Sequence, residues 1–148
     1  MANEVNKEDY KKLIRSVDIK DLELLRLSCE NYVPFSKNVT AAIDLEITSI
    51  NDINLNGKML EIKPDFKLVV YKVADGKTTD EKLFEIYFTY LLKYSLSEEE
   101  DFQQKTLEHF VKKNVPLNVW PFARELVNNI TMRMGFPPLV LPAYKNEE

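Results

Sequence analysis

The stretch 116–141, PLNVWPFARELVNNITMRMGFPPLVL, runs from a helix entry through an amphipathic helix to a hard stop and a short extended tail. Pro121 suits a first helical turn, where a missing N–H costs nothing. Asn118 carries a side chain able to cap that turn. Val119, Phe122, Ala123, Leu126, Val127, Ile130 and Met134 recur at steps of three and four, with Arg124, Glu125, Asn128, Asn129 and Arg133 opposite. That spacing predicts an amphipathic helix of about four turns. Gly135 ends it and Pro137-Pro138 forbids continuation, so Leu139-Val140-Leu141 reads as a short extended run.

Upstream, the period changes from helix to strand. Phe84, Ile86, Phe88, Tyr90, Leu92, Tyr94 and Leu96 are apolar at every second position, which predicts a long strand with one face on a core. Ile43, Leu45 and Ile47 alternate with Asp44, Glu46 and Thr48, a strand with one wet face. Asn56-Gly57 and Asp75-Gly76 are turn signals on either side of an extended region, 59–73, that Pro64 interrupts. Val17 to Leu27 is strand-like but changes phase, which a bulge near Lys20–Leu22 would reconcile. Residues 6–15 suit a short helix with Tyr10, Leu13 and Ile14 on one side. Ser97-Glu98-Glu99-Glu100 reads as a capping box opening a helix over about 98–112, stopped by Asn114 and Pro116. Strands followed by helices predict an α+β fold, an antiparallel sheet backed by helix.

Composition sets bounds. The chain has 148 residues, 45% hydrophobic and 11% aromatic, which suits one globular domain over 1–148 with an extension at 1–16 and a short tail at 142–148. Net charge is −4 with no concentrated basic tract, which argues against nucleic acid as a partner. The apolar runs fall far short of a membrane span, and the polar opening residues carry no signal-peptide pattern. Cys29 is the single cysteine, so no intrachain disulfide forms and a reducing, cytoplasmic setting is the simplest expectation.

Catalytic chemistry lacks its residue types. His109 is the single histidine, and in a helix beside Phe110 it reads as a packing or surface residue. Metal sites built on His and Cys have too few ligands here. Cys29 has no local activating motif that would make it a nucleophile with His109. Three scattered glycines cannot form a phosphate-cradling loop. Asp44/Glu46 and Glu98–Asp101 have structural explanations, on a solvent face and at a helix start. The sequence therefore predicts no enzyme, no metal and no cofactor. Most aromatics lie on core stripes; Tyr32, Val33 and Phe35, in the loop 31–40, are the exceptions that could line a binding groove.

The run Pro116-Leu-Asn-Val-Trp-Pro-Phe-Ala-Arg-Glu125, with Arg133-Met-Gly-Phe-Pro-Pro-Leu-Val-Leu-Pro-Ala143 after the helix, closely resembles the main helix and flanks of the export chaperone family SecB. Ile19–Leu22, Ile43–Leu45 and Leu83–Ile86 resemble starts of that family's strands, so the likeness spans roughly residues 17–142. It implies a four-stranded antiparallel sheet packed on a long amphipathic helix, assembled as a homo-oligomeric dimer of dimers. Trp120, Leu126, Ile130 and Met134 would lie on the helix between subunits. It implies an ATP-independent holdase for unfolded or precursor polypeptides, delivering them to the SecA motor of the Sec translocase. Asp21, Glu23, Leu83 and Glu85 match or adjoin the motor-docking positions. Tyr32, Val33, Phe35, Val39 and Phe122 match the client groove, with Val39 where the family has tryptophan. The family's second C-terminal helix has no counterpart in Pro142 to Glu148. That departure points to a short relative, which could be dedicated to one client such as an antitoxin. A third alternative is an oligomeric interaction module without chaperone activity.

Overall fold

The structure, a computed structural model, describes residues 4–33, 41–49, 53–97 and 102–144. Elements follow in the order α1 (Lys7–Ser16), β1 (Val17–Asn31), β2 (Ala41–Ser49), β3 (Ile53–Asn56), β4 (Met59–Ile62), β5 (Asp65–Ala74), β6 (Lys77–Leu96) and α2 (Gln104–Arg133). Every strand pairing is antiparallel. Among the described residues, six strands occupy four rows. β6 is central, with β1 on one edge; β4 and β5 lie end to end along its other edge, and β3 and β2 outside them. The expected four-stranded sheet is therefore present with two of its strands split. Pro64 makes one split, because it has no N–H for the ladder, although its carbonyl still accepts from Tyr90 N at 3.2 Å.

Local chemistry sets the turns. Asp75 and Gly76 both have positive φ, 54° and 73°, the conformation of a type I′ hairpin turn. Gly57, at φ 62°, opens the β3–β4 hairpin. All seven alternating apolar residues from Phe84 to Leu96 are buried, on the sheet face that α2 covers. Phe66 stacks on Phe88 at 4.8 Å between ring centroids, and Tyr94 meets Phe110 of α2 edge-on at 5.1 Å.

The helix differs from the sequence expectation. One continuous helix of 30 residues replaces two, with Pro116 and Pro121 inside it. Each proline removes one intrahelical hydrogen bond, yet burial on both sides carries the helix through. Leu107, Val111, Val115, Val119, Ala123, Val127 and Thr131 form an unbroken buried row at four-residue steps. The predicted capping box does not open it either. Its Glu residues lie outside the described residues, and the N-cap, Gln103, makes no side-chain cap bond. Asp9 of α1 supplies the acceptor instead: Gln103 N donates to its carboxylate at 3.2 Å and Thr106 Oγ1 at 2.6 Å. Leu13 is fully buried, so residues 7–16 are part of the core packing. At the far end, Gly135 (φ 89°) completes a Schellman stop, with Phe136 N donating to Thr131 O and Gly135 N to Met132 O, both at 3.1 Å.

Candidate functional site

Two surfaces hold the residues singled out by sequence. The first is the sheet face that α2 leaves open. Asp21 and Glu23 stand opposite Lys93 and Leu91 there, and both are exposed. Glu85 shares that face but lies at least six residues further along β6, about 20 Å away at the strand rise. Leu83, beside a register shift between β5 and β6, is instead part of the hydrophobic core, at 2% exposure. Glu85 is the hub of a small network. It accepts from the Tyr32 hydroxyl, from Tyr87 Oη at 3.1 Å and from Lys82 Nζ at 3.3 Å. The Tyr32 hydrogen bond foremost holds the Glu85 carboxyl below the usual carboxylate range; the same bond pushes the Tyr32 phenol up to about 12. The structure thus joins Tyr32, expected in the client groove, to Glu85, expected at the motor-docking face.

The second surface is on the helix side. Asn31 Nδ2 donates to Met134 O at 3.0 Å, which pins the start of the 31–40 loop to the C-terminal end of α2. Tyr32 is exposed and reaches the open face through its bond to Glu85, whereas Val33 is half-buried against the core. Phe35 and Val39 lie outside the described residues. Phe122 is exposed, with its carbonyl accepting from Tyr90 Oη at 3.2 Å. It stands about 18 Å along the helix from Met134, so the described residues do not gather it with Tyr32 and Val33. Trp120, Leu126, Ile130 and Met134 are half-buried against the core, while Leu117, Phe122 and Met132 are the exposed apolar residues of α2.

Sequence reasoning missed a further apolar row. Ile19, Leu22, Leu24 and Leu27 pair with Tyr94, Leu92, Tyr90 and Phe88, so all four point to the helix side of the sheet. Leu22 is half-buried against the core, but α2 does not cover the other three: Ile19 is 53%, Leu24 44% and Leu27 38% exposed. The signal was present in the composition of β1 but broken in phase. Register shifts fall at Ile19/Asp21 and again at Leu24/Arg26, and only the first was anticipated.

It also missed the path of the C-terminal strap. After the Schellman stop the chain doubles back along α2. Leu139 N donates to Thr131 Oγ1 at 2.9 Å, Asn128 Nδ2 to Leu139 O at 3.5 Å, Arg124 Nε to Leu141 O at 2.8 Å and Trp120 Nε1 to Pro142 O at 2.7 Å. Leu141 is buried and Val140 is exposed. Arg124 and Asn128, read from sequence as the solvated side of the helix, instead hold this strap.

His109 packs edge-on against Tyr10, with ring centroids 4.7 Å apart, near the N-terminal end of α2. Cys29 pairs with Ile86 towards the other end of the molecule, so the two do not form a catalytic pair. Among the described residues no three His, Cys, Asp or Glu side chains are grouped to hold a metal, and no helix is long and apolar enough to cross a membrane.

Comparison with known proteins agrees with this architecture. The SecB family, described as preprotein translocase subunit SecB, matches residues 11–144. The protein-export protein SecB of Anaplasma phagocytophilum is 30% identical over 138 residues, covering 86% of this chain and 83% of that protein. The protein-export protein SecB of Afipia carboxidovorans is 32% identical over 77 residues, 52% of this chain and 46% of that protein. Among solved structures, a SecB-like chaperone of Mycobacterium tuberculosis, in complex with a peptide from the HigA1 antitoxin, superposes with a TM-score of 0.76. It is 17% identical, with 96% of this chain and 100% of that chain covered, a likeness of fold. With the family match running from α1 to the strap, and the split four-row sheet backed by one long helix, this chain belongs to the SecB family of protein-export chaperones.

Proposed function

We propose that this chain is an ATP-independent holdase that keeps unfolded or precursor polypeptides from folding and aggregating. Family membership supports a chaperone role in protein export, in a family without enzymatic activity. One observation carries the reading beyond that: an otherwise charged chain leaves Ile19, Leu24, Leu25, Leu27, Leu117, Phe122 and Met132 exposed. So much apolar surface suits contact with copies of itself and with unfolded clients, and burying client hydrophobes is then the whole mechanism. Tyr32, Val33, Phe35, Val39 and Phe122 are the proposed client contacts, and Leu126, Ile130 and Met134 support the helix face between subunits; Trp120, expected beside them, is engaged by the strap instead. A SecA-type motor docking on the open sheet face meets Asp21 and Glu23 directly. Glu85 would meet it only by exchanging its bonds to Tyr32, Tyr87 and Lys82, and Leu83 is buried in the core. The test is aggregation of a chemically denatured client diluted into buffer without ATP. Suppression at a few-fold excess of this protein is expected, and none at a large excess overturns the reading.

A second reading narrows the client to one partner. The M. tuberculosis structure holds an antitoxin peptide on the same fold, which makes a dedicated antitoxin chaperone the specific alternative. Identifying the polypeptides that copurify from the native host separates the two: many unrelated precursors support the general holdase, one dominant partner the dedicated one.

A further inference from the structure

The strap is held in an unusual way. Three side-chain donors at four-residue steps on α2, Trp120, Arg124 and Asn128, all reach main-chain carbonyls, those of Pro142, Leu141 and Leu139. Thr131 Oγ1 accepts the one main-chain N–H, from Leu139. Carbonyls and N–H groups are common to every polypeptide, so this row carries no information about sequence. Side chains enter only by alternation. Leu141 is 1% exposed, whereas its neighbour Val140 is 68% exposed. One residue goes in and the next goes out, as in any extended segment with apolar residues two apart.

A groove of this kind fits an extended chain of loosely defined sequence, and it is already occupied by one. We propose that the Trp120–Arg124–Asn128 row is a main-chain-reading site for an extended, partly apolar polypeptide, and that residues 139–142 fill it as a built-in competitor until a client segment replaces them. The proposal rests on the holdase reading for the identity of the client. Physical chemistry gives the strap both of its properties. Tethering gives it a high effective concentration, so weakly binding segments are excluded. Its four hydrogen bonds and one buried side chain can all be supplied by a client that fills the same positions, and such a client gains adjacent apolar surface as well. A client then binds only the unseated fraction, so its apparent Kd is the intrinsic Kd divided by that fraction.

Trp120 is the single tryptophan, wedged between the Pro142 carbonyl and the Tyr144 ring at 5.6 Å, so its fluorescence reports on the strap. Leu141→Asp unseats the strap by placing a charge in its buried position. The milder Leu141→Ser replaces it where circular dichroism shows that the aspartate variant has not folded. The probe is reduced, carboxymethylated ribonuclease A, an unfolded chain without tryptophan, with affinity read from the anisotropy of a labelled sample. Unseating the strap, confirmed by greater acrylamide quenching of Trp120, is expected to tighten binding. A strap seated about 90% of the time gives about a tenfold gain. Adding Arg124→Ala to the unseated variant should then weaken binding, because the donor now serves the client. Equal or weaker binding after unseating, with wild type binding normally, overturns this proposal and leaves the holdase reading intact. No effect of Arg124→Ala in the unseated variant also overturns it. Binding by the unseated variant alone supports it strongly, and binding by neither protein defeats both readings.

Discussion

Asp9 caps a helix whose N-cap, Gln103, lies 94 residues later in the chain. Its carboxylate accepts from Gln103 N and Thr106 Oγ1, and it sits at the positive end of the α2 dipole. Asp9→Ala should therefore destabilise the fold by about 1–2 kcal/mol, the usual cost of a lost cap, although it lies in the N-terminal extension. Urea denaturation of Asp9→Ala beside Asp9→Asn, which keeps an acceptor oxygen, checks this; equal midpoints for Asp9→Ala and wild type would contradict it. Glu85 makes a pH-dependent contribution of known sign. Its carboxyl is held low in the folded chain, first by the Tyr32 hydroxyl, so the stability it adds is present above the ordinary carboxylate range. That contribution is lost as pH falls through the lowered value. Tyr32, raised to about 12, adds stability that is complete below pH 10 and lost as the phenol ionises above it. Thermal unfolding of Glu85→Gln against wild type should show a gap at neutral pH that closes in acid; a gap independent of pH would remove the assignment. None of these partnerships was legible in the sequence, because each links residues tens of positions apart through geometry that only the folded chain defines.

At the scale of elements, what was legible follows from periodicity, and what was not follows from its interruption. β6 was plain because seven apolar residues keep one phase without a break, and all seven are buried. β1 was obscure because two bulges shift its register, so Ile19, Leu22, Leu24 and Leu27 share a face that alternation alone does not reveal. α2 was cut in two because Pro116 and Pro121 ordinarily mark helix boundaries. The residues that carry it through were visible but spaced by four, a row that drifts about 40° around the helix at each step and so never resembles one fixed face. Pro121 is exposed, unlike Pro116, and gives the cleaner test. Pro121→Ala restores an intrahelical N–H without opening a core cavity, and should stabilise the protein by roughly 1–2 kcal/mol. A lower midpoint in chemical denaturation would show that the ring is needed where it stands. The strap was half legible: Gly135 and Pro137-Pro138 foretold the stop and the extended run, but not its return along Trp120, Arg124 and Asn128.

At the scale of the molecule, β1 is the element least suited to exist alone. It is 15 residues long, pairs with β6 on one edge and has no described strand on the other. A long free edge is a standing template for another strand. Its helix-side row of Ile19, Leu24 and Leu27 is open, beside a helix that also leaves Leu117, Phe122 and Met132 uncovered. A second copy related by a two-fold axis offers the same edge and the same row, and self-complementarity of that kind builds closed dimers. Two such dimers meeting through the remaining α2 surface give the proposed dimer of dimers. Light scattering at micromolar concentration should then return a mass about four times the 17.3 kDa of one chain. A monomer mass would overturn the assembly. Leu24→Lys with Leu27→Lys places charges where the second copy would pack, so the mass should fall while circular dichroism stays native, because neither side chain is in the monomer core. Leu117→Lys should separate dimers from one another and leave the β1 pairing whole. If the β1 variants and the α2 variant lower the mass to different species, two distinct interfaces exist; if all of them keep the full mass, the open apolar rows are left for clients alone.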